Sequence, residues 1–141
     1  DVVQAVKDAY GENYLPSTPL DEQMLTDIYG LDMENVEEVI GEAPMISAHV
    51  DTFIAVKAKE GKGEAVEKEL QEYLDYVVEN SVNYPMNVAK VQAAKVVRHG
   101  DYVFYVMLGG YDDRTDVSEE ESVKFAQEQV QIGVDAIDSC F

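Results

Sequence analysis

The sequence predicts an α+β fold: N-terminal helices followed by a β-α-β-β-α unit, with a three-stranded, mainly antiparallel sheet and two helices packed on one face. Three observations predict it. Residues 45–58 alternate with period two and are rich in β-branched side chains, the pattern of a strand. Residues 64–82 place Val66, Leu70, Tyr73, Leu74 and Val77 at helical spacing. Two short β-forming runs then flank His99-Gly100-Asp101, a two-strand hairpin signal.

Taken in order, residues 1–10 read as a first helix through Val2, Val3, Ala5, Val6 and Ala9, ended by Gly11. Pro16 and Pro19 break the chain into a loop. Asp21 caps a short helix through Tyr29, with Met24, Leu25 and Ile28 on one side, and Gly30 stops it. Asp32 is expected to cap a further helix to Ile40, with Met33, Val36, Val39 and Ile40 as its stripe, before Gly41 and Pro44. In the strand 45–58, Ile46, Ala48, Val50, Ile54 and Val56 form the core side, and Met45, Ser47, His49, Asp51, Phe53 and Lys57 the other. The helix 64–82 carries Glu64/Lys68 and Lys68/Glu72 at pairing distance and closes at Asn83 and Pro85. Residues 88–98 and 102–108 read as the second and third strands, and Gly100 can take the positive φ of their turn. Ser118 and Glu121 make a capping box for a last helix to Ser139, with Val123, Ala126, Val130, Val134 and Ile137 as its stripe. A strand, a crossover helix and a hairpin make a split unit in which strands one and two run parallel, with strand three between them and antiparallel to both.

The 141 residues make one domain, a helical segment 1–43 leading into a core 44–141. With 29 acids against 10 bases the net charge is −19. Phosphate contacts need Lys and Arg, so nucleic acid is excluded as a partner, and an anionic membrane surface repels the chain. No apolar run reaches the roughly 18 residues of a membrane-spanning helix. The single cysteine, Cys140, rules out an internal disulfide framework and a multi-cysteine metal site. Gly61-Lys62-Gly63 lacks phosphate-loop spacing, and Gly109-Gly110 runs into acids, so no nucleotide and no other cofactor is expected. The chain starts at Asp1 rather than Met, as a mature or trimmed form would.

Four residues form the candidate ligand-binding surface. His49, Asp51 and Phe53 share the non-core side of the first strand, and Tyr105 of the third strand is expected to join them with Val103 and Met107. The opposite reading is that the N-terminal helices cover this side. His49 and Asp51, two apart on a strand, are within reach of each other, the minimum for an oriented base; no nucleophile motif accompanies them. They define the alternative of a small hydrolytic or metal-assisted enzyme. His99 and Asp101 repeat the pair in a turn, where Asp is at home for conformational reasons. Asp112, Asp113 and Asp116 are hard oxygen ligands near Glu119, Glu120 and Glu121, which define a second alternative, a calcium-stabilised structural domain. Their spacing is not that of an EF-hand, and the common explanation of such a run is a solvated acidic loop entering a helix N-terminus.

The stretch DTFIAVKAKEGKGEAVEKEL at 51–70, the NYP at 83–85 and VVRHGDYVFYVMLG at 96–109 together resemble the family known as domain of unknown function 4358. The shared landmarks are structural: Lys57 after the strand, Tyr84-Pro85, and Gly100 before the aromatic strand. The resemblance implies an extracytoplasmic lipoprotein of Gram-positive bacteria, with signal peptide and lipid-bearing cysteine upstream of residue 1. It implies no activity and no catalytic residues. The expectation is therefore a non-enzymatic binding or interaction module, tethered to the cell membrane through that lipid anchor, whose partner is a cationic or neutral peptide, protein or glycan.

Overall fold

The structure, a computed structural model, describes residues 2–11, 14, 18–27, 29–43, 52–80, 93–108 and 119–140. In chain order the elements are α1 (Val2–Tyr10), β1 (Thr18–Pro19), α2 (Glu22–Asp27), a 3₁₀ turn (Met33–Asn35), β2 (Val36–Ala43), β3 (Thr52–Ala58), α3 (Gly63–Asn80), β4 (Lys95–His99), β5 (Tyr102–Met107) and α4 (Glu119–Asp138). They build one sheet in the order β1-β2-β3-β5-β4, with every neighbouring pair antiparallel. The mixed α+β class, the antiparallel sheet and the split unit are as expected: β3 and β4 run parallel, and β5 lies between them.

Two features of the expected architecture are corrected. Among the described residues the sheet has four strands of five residues or more, plus the two-residue β1, rather than three. The extra long strand is β2, in the stretch expected to continue as a helix to Ile40. Asp32 does cap, its carboxylate accepting from Glu34 N–H at 3.0 Å, but the helix stops after one 3₁₀ turn. Val36, Val39 and Ile40 are β-branched and stiff, and the chain gains a ladder from Val36 to Glu42 against β3, which outweighs a weak helical preference.

The second correction concerns the layers. The two long helices lie on opposite faces of the sheet, not on one. Leu70 and Leu74 of α3 join Leu25, Ile54, Val56, Val103, Tyr105 and Met107 on the first face. On the second, Val6 and Tyr10 of α1 and Ala126, Val130, Val134 and Ile137 of α4 cover Phe53, Phe104 and Val106. The cause is visible in the central strands. Phe53, Ile54, Val103, Phe104, Tyr105 and Val106 are all at most 2 % exposed, so both sides of β3 and β5 are apolar and both need a cover.

On the first face three tyrosines pack together, with ring centroids 4.6 Å apart for Tyr29 and Tyr73, 5.9 Å for Tyr73 and Tyr105, and 6.3 Å for Tyr29 and Tyr105. Burial raises all three phenols above their ordinary range. Tyr73 is pushed up to about 12, with Tyr29 and Tyr76 adding to the effect. Tyr105 is raised well above its ordinary range by burial, with Tyr73 and Tyr29 adding to it, and Tyr29 is raised by burial but held back in part by its bond with Thr52. The fold thus keeps these phenols neutral while the unfolded chain ionises near 10, so stability falls as pH rises above about 10. In an alkaline titration, part of the tyrosinate absorbance should appear near the ordinary value and the rest only with unfolding; nine equivalent tyrosines titrating on the folded protein would contradict this packing.

On the second face α1 is locked to α4 by Tyr10. Its hydroxyl donates to the Gln129 carbonyl at 2.5 Å and accepts from Gly133 N–H at 2.9 Å. It thus sits between two backbone groups four residues apart on one helix. A Cβ on residue 133 would stand 2.8 Å from that hydroxyl oxygen, so the glycine is required by close approach. Gly133→Ala should destabilise the protein in chemical denaturation, despite the roughly 1 kcal/mol that alanine gains over glycine in a helix. Tyr10→Phe should cost about 1 kcal/mol for the hydrogen bonds it removes, since Gly133 N–H and the Gln129 carbonyl can then bond each other.

Candidate functional site

Strand registers place the side chains of the second face in three rows across the sheet. One row is Glu42, Phe53, Val106 and Lys95; the next is Ile40, Ala55, Phe104 and Val97; the last is Glu38, Lys57, Tyr102 and His99. The helices cover these rows unequally. Lys7 of α1 reaches Glu42 at 3.0 Å, and Tyr14 donates to the same carboxylate at 2.8 Å. Burial, and then that bonded carboxylate, push the Tyr14 phenol up. At the other edge α4 holds Lys95 through Gln131 at 3.2 Å and His99 through Asp138 at 2.7 Å. The first row is therefore closed. Over the last two rows, toward β2, only the start of α1 intervenes among the described residues.

A groove of about 230 Å³ remains there, lined by Val2, Val3, Ile40, Ala55, Tyr102 and Phe104 with Glu38 and Lys57 at its polar side. Ile40 is 51 % and Tyr102 38 % exposed. A shallower hollow continues past Lys57 and Tyr102 over Glu60, Gly100 and Asp101. The floor is apolar, while a carboxylate, an ammonium and a phenol border it in one row. Apolar floors bordered by a few placed polar groups are the general form of small-ligand surfaces. Among the described residues no three His, Cys, Asp or Glu side chains gather as for a metal.

The sequence-derived candidates fare differently. Phe53 and Tyr105 are 0 % and 1 % exposed, and they lie on opposite faces, because Phe53 pairs with Val106 and Ile54 with Tyr105. The expectation that they share an open side is overturned: Phe53 belongs to the core beneath α1 and α4, Tyr105 to the core beneath α3. His49, Asp51, Asp112, Asp113 and Asp116 lie outside the described residues, as does the capping residue Ser118. His99 and Asp101 do not form a pair. His99 turns to Asp138, while the Asp101 carboxylate accepts from Gly61 N–H at 3.3 Å and Gly63 N–H at 3.2 Å. Asp101 thus caps the first turn of α3 from the hairpin, where Gly100 takes φ of 63°.

Sequence reasoning missed Ile40, Lys57 and Tyr102 as a surface. Its spacing puts Ile40 in a helical stripe; the cluster of β-branched residues at 36–40 is the signal for a strand. The groove also needs α1 to stop short of the last row, which no local pattern encodes. Asp101→Ala should cost about 1 kcal/mol through the lost cap, with Asp101→Asn retaining most of it; equal losses would mean that the carboxylate acts otherwise.

The family model described as Domain of unknown function (DUF4358) matches residues 9–108, most of the chain, and the chain belongs to that family. The match ends before α4, so the helix that completes the second face lies beyond the shared region. No curated protein and no solved structure matches the chain. Among the described residues no helix is long and apolar enough to cross a membrane.

Proposed function

We propose that this member of the domain of unknown function 4358 family is a non-enzymatic, extracytoplasmic binding module, tethered to the membrane by a lipid anchor upstream of residue 1. The observation that carries the binding role is the uncovered end of the second face, where Ile40 and Tyr102 stand half open over an apolar floor. Burying such surface against a partner is favourable at about 25 cal/mol per Å², and contiguous exposed apolar surface marks interaction sites. The net charge of −19 favours cationic or neutral partners and repels acidic ones. The His99–Asp138 couple and the Asp101 cap give the nearby polar groups structural work. The extracytoplasmic address and the lipid anchor rest on the family resemblance alone.

The test joins retention to stability. Ile40→Ser with Tyr102→Ser should keep a cooperative melting transition above the assay temperature, since Ile40 is 51 % and Tyr102 38 % exposed and neither is wholly buried. The same double variant should lose the cell-envelope proteins that the unaltered chain retains from a detergent extract. Equal retention by both proteins would sink the binding surface. In a separate fractionation, the protein expressed with its own upstream sequence should partition with membranes; recovery in the cytosol would refute the tethered address.

A further inference from the structure

Among the described residues, β2 is an open sheet edge for most of its length. β1 pairs only with Ala43 and Glu42, and Leu20 N–H adds one bond to the Gly41 carbonyl at 2.7 Å. The chain then leaves the sheet, because the Asp21 carboxylate accepts from Met24 N–H at 2.8 Å and starts α2. Backbone groups alternate along an antiparallel strand. The N–H and C=O of Val39 therefore point the way the Gly41 carbonyl does, outward, and no described residue bonds to them there.

Hollows flank this edge on both faces. On the second face lies the groove with Ile40 and Ala55; on the first lies another of about 800 Å³ with Leu20, Leu25, Met33, Val36 and Val39. Both reach Glu38, Val39 and Ile40. A strand laid along β2 would send alternate side chains into the two hollows while its backbone meets Val39, the geometry of strand addition. Exposed carboxylates of Glu22, Glu37 and Glu38 border the same edge. Lys57 is 3.8 Å from Glu37, a separation of exposed groups that leaves the carboxylate accessible to another cation.

We propose that the outer edge of β2 is a strand-addition site for an extended, basic segment of a partner protein, with apolar side chains alternating with lysine or arginine. This rests on the reading of the chain as a binding module and names the place and the partner chemistry. A second copy is the poorer occupant, since it would bring Glu37 and Glu38 against an equally acidic edge and one charge of −19 against another. The bulge between Val36 and Glu38 and the two acids guard the edge against self-pairing and select for a basic strand.

The full chain, isotope-labelled, is titrated with a heptapeptide alternating lysine and valine. Amide shifts should centre on Val36 to Gly41, and exchange of the Val39 amide should slow. Glu37→Lys with Glu38→Lys should weaken binding by about tenfold or more. The same peptide N-methylated along its bonding edge should not bind. Val39→Pro deletes the outward N–H and should weaken peptide binding about tenfold or more, read from the shifts of the neighbouring amides; if it does not fold, the N-methylated peptide still decides. Unchanged Val39 exchange, equal binding of the N-methylated peptide or of a glutamate–valine peptide, or no binding at millimolar peptide overturns strand addition. The binding-module reading fails separately, through the retention assay on the Ile40/Tyr102 variant.

Discussion

The pairing of β3 with β5 is the constraint on which the rest of the molecule depends. Six consecutive residue pairs, from Thr52↔Met107 to Lys57↔Tyr102, join them, and nine of those twelve residues are buried, on both faces, the exceptions being Ala55, Lys57 and Tyr102. A sheet whose middle is apolar on both sides cannot face water on either. Two separate covers are therefore obligatory, and the remaining elements are arranged to supply them: α3 with α2 on one side, α1 with α4 on the other.

The covers are fastened to the sheet by polar groups at their rims, and to each other by one buried hydroxyl, that of Tyr10. Arg98 lies 3.4 Å from Glu67 of α3, and the hairpin aspartate Asp101 caps the same helix. On the second face Lys7, Glu42 and Tyr14 tie the start of the chain to β2, and Lys95 and His99 tie β4 to α4. Exposed ion pairs of this kind contribute little individually. Their effect is orientational, because each links a helix to a defined strand position. Tyr10 goes further and enters the backbone of α4, which fixes the distance between α1 and α4 at a glycine.

Incomplete cover explains the candidate site. The second face has three rows of side chains, and α1 with α4 close only those nearest Phe53 and Val106. The row of Glu38, Lys57, Tyr102 and His99 lies at the margin, so an apolar floor and polar borders meet where packing ends. The same margin is where β2 loses its neighbour, since β1 is two residues long and α2 begins at once. An open groove and an open edge thus arise from one cause, the early departure of the N-terminal segment from the sheet.

By itself the sequence determined local matters: the helix α1, the cap at Asp21, the long helix α3, the hairpin at Gly100, the strand pattern of β3 and the acidic surface. These follow from periodicity, turn chemistry and charge, all of which act over a few residues. It also held the antiparallel placing of β5 between β3 and β4, because a hairpin after a crossover leaves few arrangements. Tertiary structure decided the rest. Val36, Val39 and Ile40 suit a helical stripe and a strand alike, and only a ladder with β3 chooses between them. Phe53 and Tyr105 are both aromatic strand residues, and only the register puts them on opposite faces beneath different helices. His99 chose Asp138, far away in sequence, over Asp101 two residues on, because a side chain bonds to what the fold brings near it and not to what the chain places next.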